Sequence, residues 1–89
     1  MFGLFGKSSF EQEMSQYEEE AKILGRKYSP DRIFGATNNI FEQMEIQQKM
    51  MMETMQINLK RIDCCRRHGK VSEQRKWEDL NAKIRNSIG

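Results

Sequence analysis

Residues 40–68 read IFEQMEIQQKMMMETMQINLKRIDCCRRH, and this stretch decides the fold because it contains neither glycine nor proline. A helix of this length is about 40 Å long at about 1.5 Å per residue. When its residues are placed at intervals of about 100°, apolar side chains occupy two opposite faces. The sequence therefore predicts one long central helix whose apolar surface exceeds what two shorter helices can cover.

The two apolar faces of this helix differ in width. The broad face contains Ile40, Phe41, Met44, Met51, Met52, Met55, Leu59 and Ile62. The opposite face contains Ile46, Met50, Ile57 and Cys64. Charged Glu53 and Lys60 interrupt the opposite face, so a coiled-coil seam along it would be intermittent. Because a helix in an isolated domain needs only one apolar face, the second face predicts a partner.

Local signals place another helix before the central one. Ser8 and Glu11 have the spacing of a capping box, which satisfies free amides at a helix start. Apolar residues then recur every three or four positions, at Phe10, Met14, Tyr17, Ala21, Leu24 and Tyr28. Residues 29–31, Ser-Pro-Asp, can start a brief further turn. Residues 35–39 weaken helix, so a kink or a short break is expected before the central helix.

A third helix follows Gly69, the residue at which the central helix is expected to end. Ser72 predicts its N-cap, and the link at residues 69–71 is short enough to make the two helices antiparallel. The predicted fold is therefore all-α: a three-helix unit with one long central helix and an antiparallel C-terminal helical hairpin. We expect a single domain of residues 8–89, preceded by an apolar N-terminal tail of residues 1–7.

Length and cysteine content limit how this domain is stabilised. A chain of 89 residues buries only about 60 to 65% of its unfolded surface, so we expect it to complete its core by oligomerisation. The only cysteines, Cys64 and Cys65, are adjacent on a helix and cannot bridge each other. The chain shows no secretory signal and no run of about 18 apolar residues. These features predict a cytoplasmic protein without a transmembrane segment.

Charge is unevenly distributed along the chain, although the formal net charge is only +2. Residues 8–53 contain nine acidic and five basic side chains, whereas residues 54–89 contain four acidic and nine basic ones. Either the two halves lie side by side, or the basic half binds an anionic partner. Residues that could bind nucleic-acid phosphates are Lys60, Arg61, Arg66, Arg67, Lys70 and Arg75. No recognition motif accompanies them, so nucleic-acid binding is the alternative hypothesis.

Catalytic and metal-binding chemistry is not predicted. Cys64, Cys65 and His68 are three candidate ligands, whereas a structural zinc site takes four and favours separated C-x-x-C pairs. A catalytic thiol needs a positioned base, an oxyanion site and a pocket, and no pattern in the chain indicates them. The sequence therefore predicts no metal, no cofactor and no enzyme.

The sequence favours a non-enzymatic protein–protein interaction module: an adaptor, chaperone, inhibitor or assembly factor. Its partner would be another protein or a second copy of the chain in a homodimer. Methionine is flexible and common on surfaces that accept uneven partners. The residues predicted to bind the partner are Ile46, Met50, Met51, Met55, Ile57 and Cys64. On this hypothesis, Met50→Glu or Ile57→Glu would abolish association and leave most of the helicity intact.

Overall fold

The computed structural model describes residues 8–88, and within this range the chain forms four helices and no strand. They are α1 (Ser9–Lys27), α2 (Pro30–Ala36), α3 (Ile40–Arg67) and α4 (Val71–Ile88). The prediction of an all-α fold is confirmed, and α2 is a short addition to the three long helices. The predicted apolar tail of residues 1–7 lies outside the described residues.

Helix ends follow the local signals closely. Ser8 and Glu11 form both bonds of the capping box at the start of α1. Asn39 accepts hydrogen bonds from the backbone N–H groups of Phe41 and Glu42 and so caps α3. Gly69 has a φ of 70°, the left-handed conformation in which glycine ends a helix without a Cβ penalty. The cap predicted for the last helix is wrong, because α4 begins at Val71 and includes Ser72 in its first turn.

The central helix α3 packs against α1, α2 and α4. Pairs along α1 and α3 run in opposite order, from Glu13 with Arg67 to Lys27 with Glu53. The same is true of α3 and α4, where Arg61 meets Trp77 and the Met55 carbonyl oxygen meets Asn81. Both long neighbours of α3 are therefore antiparallel to it.

The molecule is a flat layer with a thin core. Its extents are 50 × 30 × 12 Å and its radius of gyration is 15.9 Å, whereas a compact domain of this length has about 12 Å. A groove of about 680 Å³ lies between α1 and α4, and its lining residues include Phe10, Arg61 and Trp77. The buried apolar residues of the described chain are Leu24, Ile33, Ile57, Cys64 and Cys65. Because α1 and α4 pack mainly on α3, much apolar surface stays accessible.

Candidate protein-binding surface

The N-terminal end of α3 extends beyond α4. Asn81 donates a hydrogen bond to the Met55 carbonyl oxygen, and this bond fixes the register of the two helices. From Asn81, α4 continues to Ile88 and ends opposite the region of residues 48–51 of α3. Residues 40–47 therefore project past α4 by about 12 Å.

Four large apolar side chains in the N-terminal half of α3 are more than half exposed, and three of them lie in the projecting end. The exposed fractions are 64% for Ile40, 74% for Phe41, 52% for Met44 and 58% for Met52. At about 100° per residue they share one arc of the helix, and we call them the uncovered α3 patch. Taking about 200 Å² for a large side chain, the patch exposes on the order of 500 Å². An apolar patch of this size is near the upper end for a monomer and commonly marks an interaction site.

The residues predicted from the sequence to bind a partner lie elsewhere. Met51 and Met55 are half-buried on the side of α3 that α4 covers in part, and Ile46 and Met50 are half-buried on the opposite side. Ile57 is 8% exposed and Cys64 is 0% exposed. The assignment of Ile57 and Cys64 to a partner-binding surface is therefore corrected, because α1 covers that face.

The uncovered α3 patch was missed for an identifiable reason. Its residues belong to the broad apolar face, whereas four of the six residues predicted to bind a partner lie on the opposite face. Helix length predicts that part of α3 stays uncovered, since α4 has 18 residues and α3 has 28. The available signal for its position is the short link at residues 69–71, which holds α4 against the C-terminal part of α3 and leaves the N-terminal end uncovered. A helix that is ten residues shorter leaves about 15 Å of its neighbour uncovered.

Three ion pairs join α1 to α3 at intervals of seven residues. They are Glu13–Arg67, Glu20–Lys60 and Lys27–Glu53. The pairing confirms the expectation that acidic and basic parts of the chain lie side by side. It also explains the charged positions that interrupt the second apolar face of α3, because Glu53 and Lys60 flank the contact with α1.

In the third pair the charges are exchanged, with the base, Lys27, on α1 and the acid, Glu53, on α3. This exchange specifies the register of α1 on α3. A shift by one heptad in one direction would place Glu20 opposite Glu53. The same shift in the other direction would place Lys27 opposite Lys60. Exposed ion pairs each contribute only about 0–1 kcal/mol, but like charges in the shifted registers disfavour both alternatives.

The basic residues around the α3–α4 turn are largely engaged within the chain. Lys60 pairs with Glu20, and both Arg66 and Arg67 pair with Asp63. Two more stack on rings: Arg61 lies 4.0 Å from the centroid of Trp77 and Lys70 lies 5.2 Å from that of Phe10. Arg75 is exposed on α4. Since most of these cations already have partners, the arrangement does not favour the nucleic-acid hypothesis.

Glu13 is the centre of a polar cluster between α1 and α3. Its carboxylate pairs with Arg67, accepts a 2.6 Å hydrogen bond from the Tyr17 hydroxyl, and lies 3.9 Å from Nε2 of His68. A hydrogen bond from Arg67 and a smaller effect of the one from Tyr17 lower the pKa of Glu13 to about 2. The bond to Glu13 raises the pKa of Tyr17 to about 12. Burial is the main cause that raises the pKa of the Cys64 thiol to about 11.

Stability should depend on the ionisation of Glu13 in acid. Its pKa falls from 4.5 to about 2 on folding, so its contribution is complete above pH 4.5 and is lost as the pH falls towards about 2. We expect Glu13→Gln to be less stable than the wild type at pH 7 and the two proteins to converge near pH 2. Urea denaturation followed by circular dichroism at several pH values measures this difference.

Glu18→Gln is the matched control for that experiment. The Glu18 side chain is 64% exposed and lies 4.0 Å from Lys22, within the same helix. Its substitution should leave the urea midpoint nearly unchanged at every pH. A pH-independent gap between Glu13→Gln and the wild type would contradict the assigned role of the Glu13 carboxylate.

Comparisons with models of protein families, with curated proteins and with solved structures found no match to this chain. Among the described residues, none of the helices combines the length and the apolar character that crossing a membrane requires. The surface and clusters described above are therefore the basis for a functional proposal.

Proposed function

We propose that this protein is a non-enzymatic protein–protein interaction module, of the adaptor, chaperone, inhibitor or assembly-factor class, that binds through the uncovered α3 patch. The observation that carries the proposal is the continuation of the broad apolar face of α3 past the end of α4. The occupant to which we assign the patch is a second copy of this chain. A cytoplasmic location remains a prediction.

Self-association is supported by the chemistry of the patch. The polar residue within its arc, Gln48, is uncharged, and Gln47 and Glu45 lie at its two edges. A nucleic acid or an acidic peptide would gain no cation there, whereas an apolar helix could bury the patch. Two antiparallel copies of α3 related by a two-fold axis would present the same side chains to each other.

The area also fits a symmetric dimer. About 500 Å² of apolar side chain per copy would form the centre of an interface, and the surrounding glutamines would form its rim. A standard interface buries about 800 Å² on each partner, with an apolar centre and a polar rim. The uncovered α3 patch and its neighbours on α3 provide a surface of this order.

Sedimentation velocity with a charge-introducing variant tests the proposal. We expect the wild type to sediment as a dimer at tens of micromolar, and Met44→Glu to sediment as a monomer with unchanged helicity. The physical reason is that dimerisation would bury the new carboxylate without a partner. The expected weakening of the dimer is at least about 100-fold, since an uncompensated charge costs several kcal/mol.

Val71→Glu is the matched control. Val71 is 58% exposed, so the same kind of change is made at an exposed apolar side chain, at the opposite end of the hairpin. This variant should remain a dimer. A wild type that stays monomeric at about 100 µM, or equal dissociation of the two variants, would refute the proposed interface.

A further inference from the structure

A second cluster with defined chemistry lies at the other end of α3. Cys64 and His68 are four residues apart and so lie on one side of the helix, and Glu13 approaches them from α1. One ligand atom from each residue can be chosen so that all three lie within 4.8 Å of one another. The sequence pattern groups Cys64 and His68 with Cys65, whereas the structure brings Glu13 to them in place of Cys65.

We propose that Glu13, Cys64 and His68 form a Zn²⁺ site, with water as the fourth ligand. A thiolate, an imidazole and a carboxylate are all zinc ligands, and the sulfur and nitrogen donors favour Zn²⁺ over Mg²⁺ or Ca²⁺. Bond lengths of about 2.0 to 2.3 Å place the ligand atoms of a tetrahedral site about 3.4 Å apart. The 3.9 Å between Glu13 Oε1 and His68 Nε2 is close to that value.

Neighbouring side chains orient two of the three ligands. The Tyr17 hydroxyl donates to Oε2 of Glu13, while Oε1 accepts a 3.1 Å hydrogen bond from Nη1 of Arg67 and lies 3.9 Å from Nε2 of His68. The ring of Phe10 meets the His68 ring edge to face, with centroids 5.6 Å apart. Hydrogen bonds to a ligating carboxylate and contacts that fix a histidine ring are common in metal sites.

Charge balance is compatible with bound zinc. The Zn–S bond would replace the S–H bond of Cys64 and release one proton to solvent, without any change of oxidation state. The thiolate and the Glu13 carboxylate would then neutralise Zn²⁺. Arg67 would lose part of its contact with Glu13 but would keep Asp63, whose Oδ2 lies 2.8 Å from its Nε.

The Zn²⁺ site is independent of the proposed dimer. Cys64 and Ile40 are separated along α3 by about 36 Å, so changes at one end leave the other end intact. Failure of metal binding would therefore leave the sedimentation result unchanged. Failure of dimerisation would likewise not affect metal binding.

Cobalt titration of the full chain under reducing conditions tests the site. Co²⁺ takes the place of Zn²⁺ and reports a bound thiolate by a charge-transfer absorption band. We expect one equivalent of Co²⁺ to produce this band and Zn²⁺ to displace it. Cys64→Ser should abolish the band, whereas the matched control Cys65→Ser should retain it, because Cys65 lies outside the cluster.

A second variant keeps the test decisive if Cys64→Ser does not fold. The His68 side chain is 29% exposed at the end of α3, so His68→Gln should keep the fold. We expect this variant to weaken cobalt binding by at least about 10-fold, as measured by absorption titration. No thiolate band in the wild type at about 100 µM Co²⁺, or unchanged affinity in His68→Gln, would overturn the assignment.

Discussion

Ile57→Glu is expected to detach α1 from α3 and to unfold a large part of the protein. Ile57 is 8% exposed and lines a cleft with Leu24, Glu20 and Glu53. Loss of a buried isoleucine costs about 2–5 kcal/mol, and a carboxylate buried at this position without its own partner adds a desolvation cost. At about 0.05–0.15 kcal/mol per residue, this loss is a large part of the total stability.

Thermal denaturation followed by circular dichroism measures this effect. We expect the Tm of Ile57→Glu to fall by at least about 10 to 20 °C, given about 4–8 °C per kcal/mol for a domain of this size. The sequence-based expectation that Ile57→Glu would act on association alone is thereby revised, because the side chain is inside the protein.

Ile23→Glu is the control for this prediction. Ile23 lines the same cleft but is 60% exposed, so its carboxylate would remain in water. Its Tm should stay within a few degrees of the wild type. Equal losses in both variants would show that Ile57 is not specifically required for the contact between α1 and α3.

Asn81→Leu is expected to destabilise the protein by about 2 kcal/mol through the contact between α3 and α4. Asn58 is 1% exposed and Asn81 is 6% exposed. Asn58 donates a 2.9 Å hydrogen bond to Asn81, and its own oxygen accepts from Arg61. Replacing Asn81 leaves the Asn58 amide without its acceptor, and an unpaired buried donor costs about 1–3 kcal/mol.

The double variant separates the energetic effect of the lost hydrogen bond from the effect of burying an apolar side chain. Asn58→Leu with Asn81→Leu removes both amides, so we expect it to recover most of the lost stability. Chemical denaturation of both single variants and the double variant gives the coupling energy, which should be at least about 1 kcal/mol. Asn86→Leu, at an exposed position of α4, is the control and should be close to the wild type.

A failure of the double variant to recover would contradict this interpretation. It would mean that the loss in Asn81→Leu comes from packing and not from the unpaired amide. Buried polar pairs of this kind also fix the register of neighbouring helices. The double variant is therefore expected to melt less cooperatively than the wild type even where its stability is restored.

Sequence patterns could not identify this amide pair. Asn58 lies at one edge of the broad apolar face of α3, in line with Ile40, one heptad after Met51 and one before Cys65. A search for apolar periodicity passes over a polar residue at such a position. The available signal was a polar residue at a heptad position that is otherwise apolar, because such a residue is expected to need a buried hydrogen-bond partner.

The sequence by itself determined the helices, because their starts and ends depend on neighbouring residues. The capping box at Ser8, the cap at Asn39 and the left-handed turn at Gly69 act within one helical turn of their own positions. The residues of α3 also specified its two apolar faces, since these follow from helical periodicity alone.

Only the tertiary structure decided which of those faces is covered. The pairs Glu13–Arg67 and Lys27–Glu53 join residues far apart in the chain and place α1 over Ile57 and Cys64. The register of α4 then leaves the apolar end of α3 uncovered. Such contacts depend on distances in space, and periodicity within one helix does not encode the position of another.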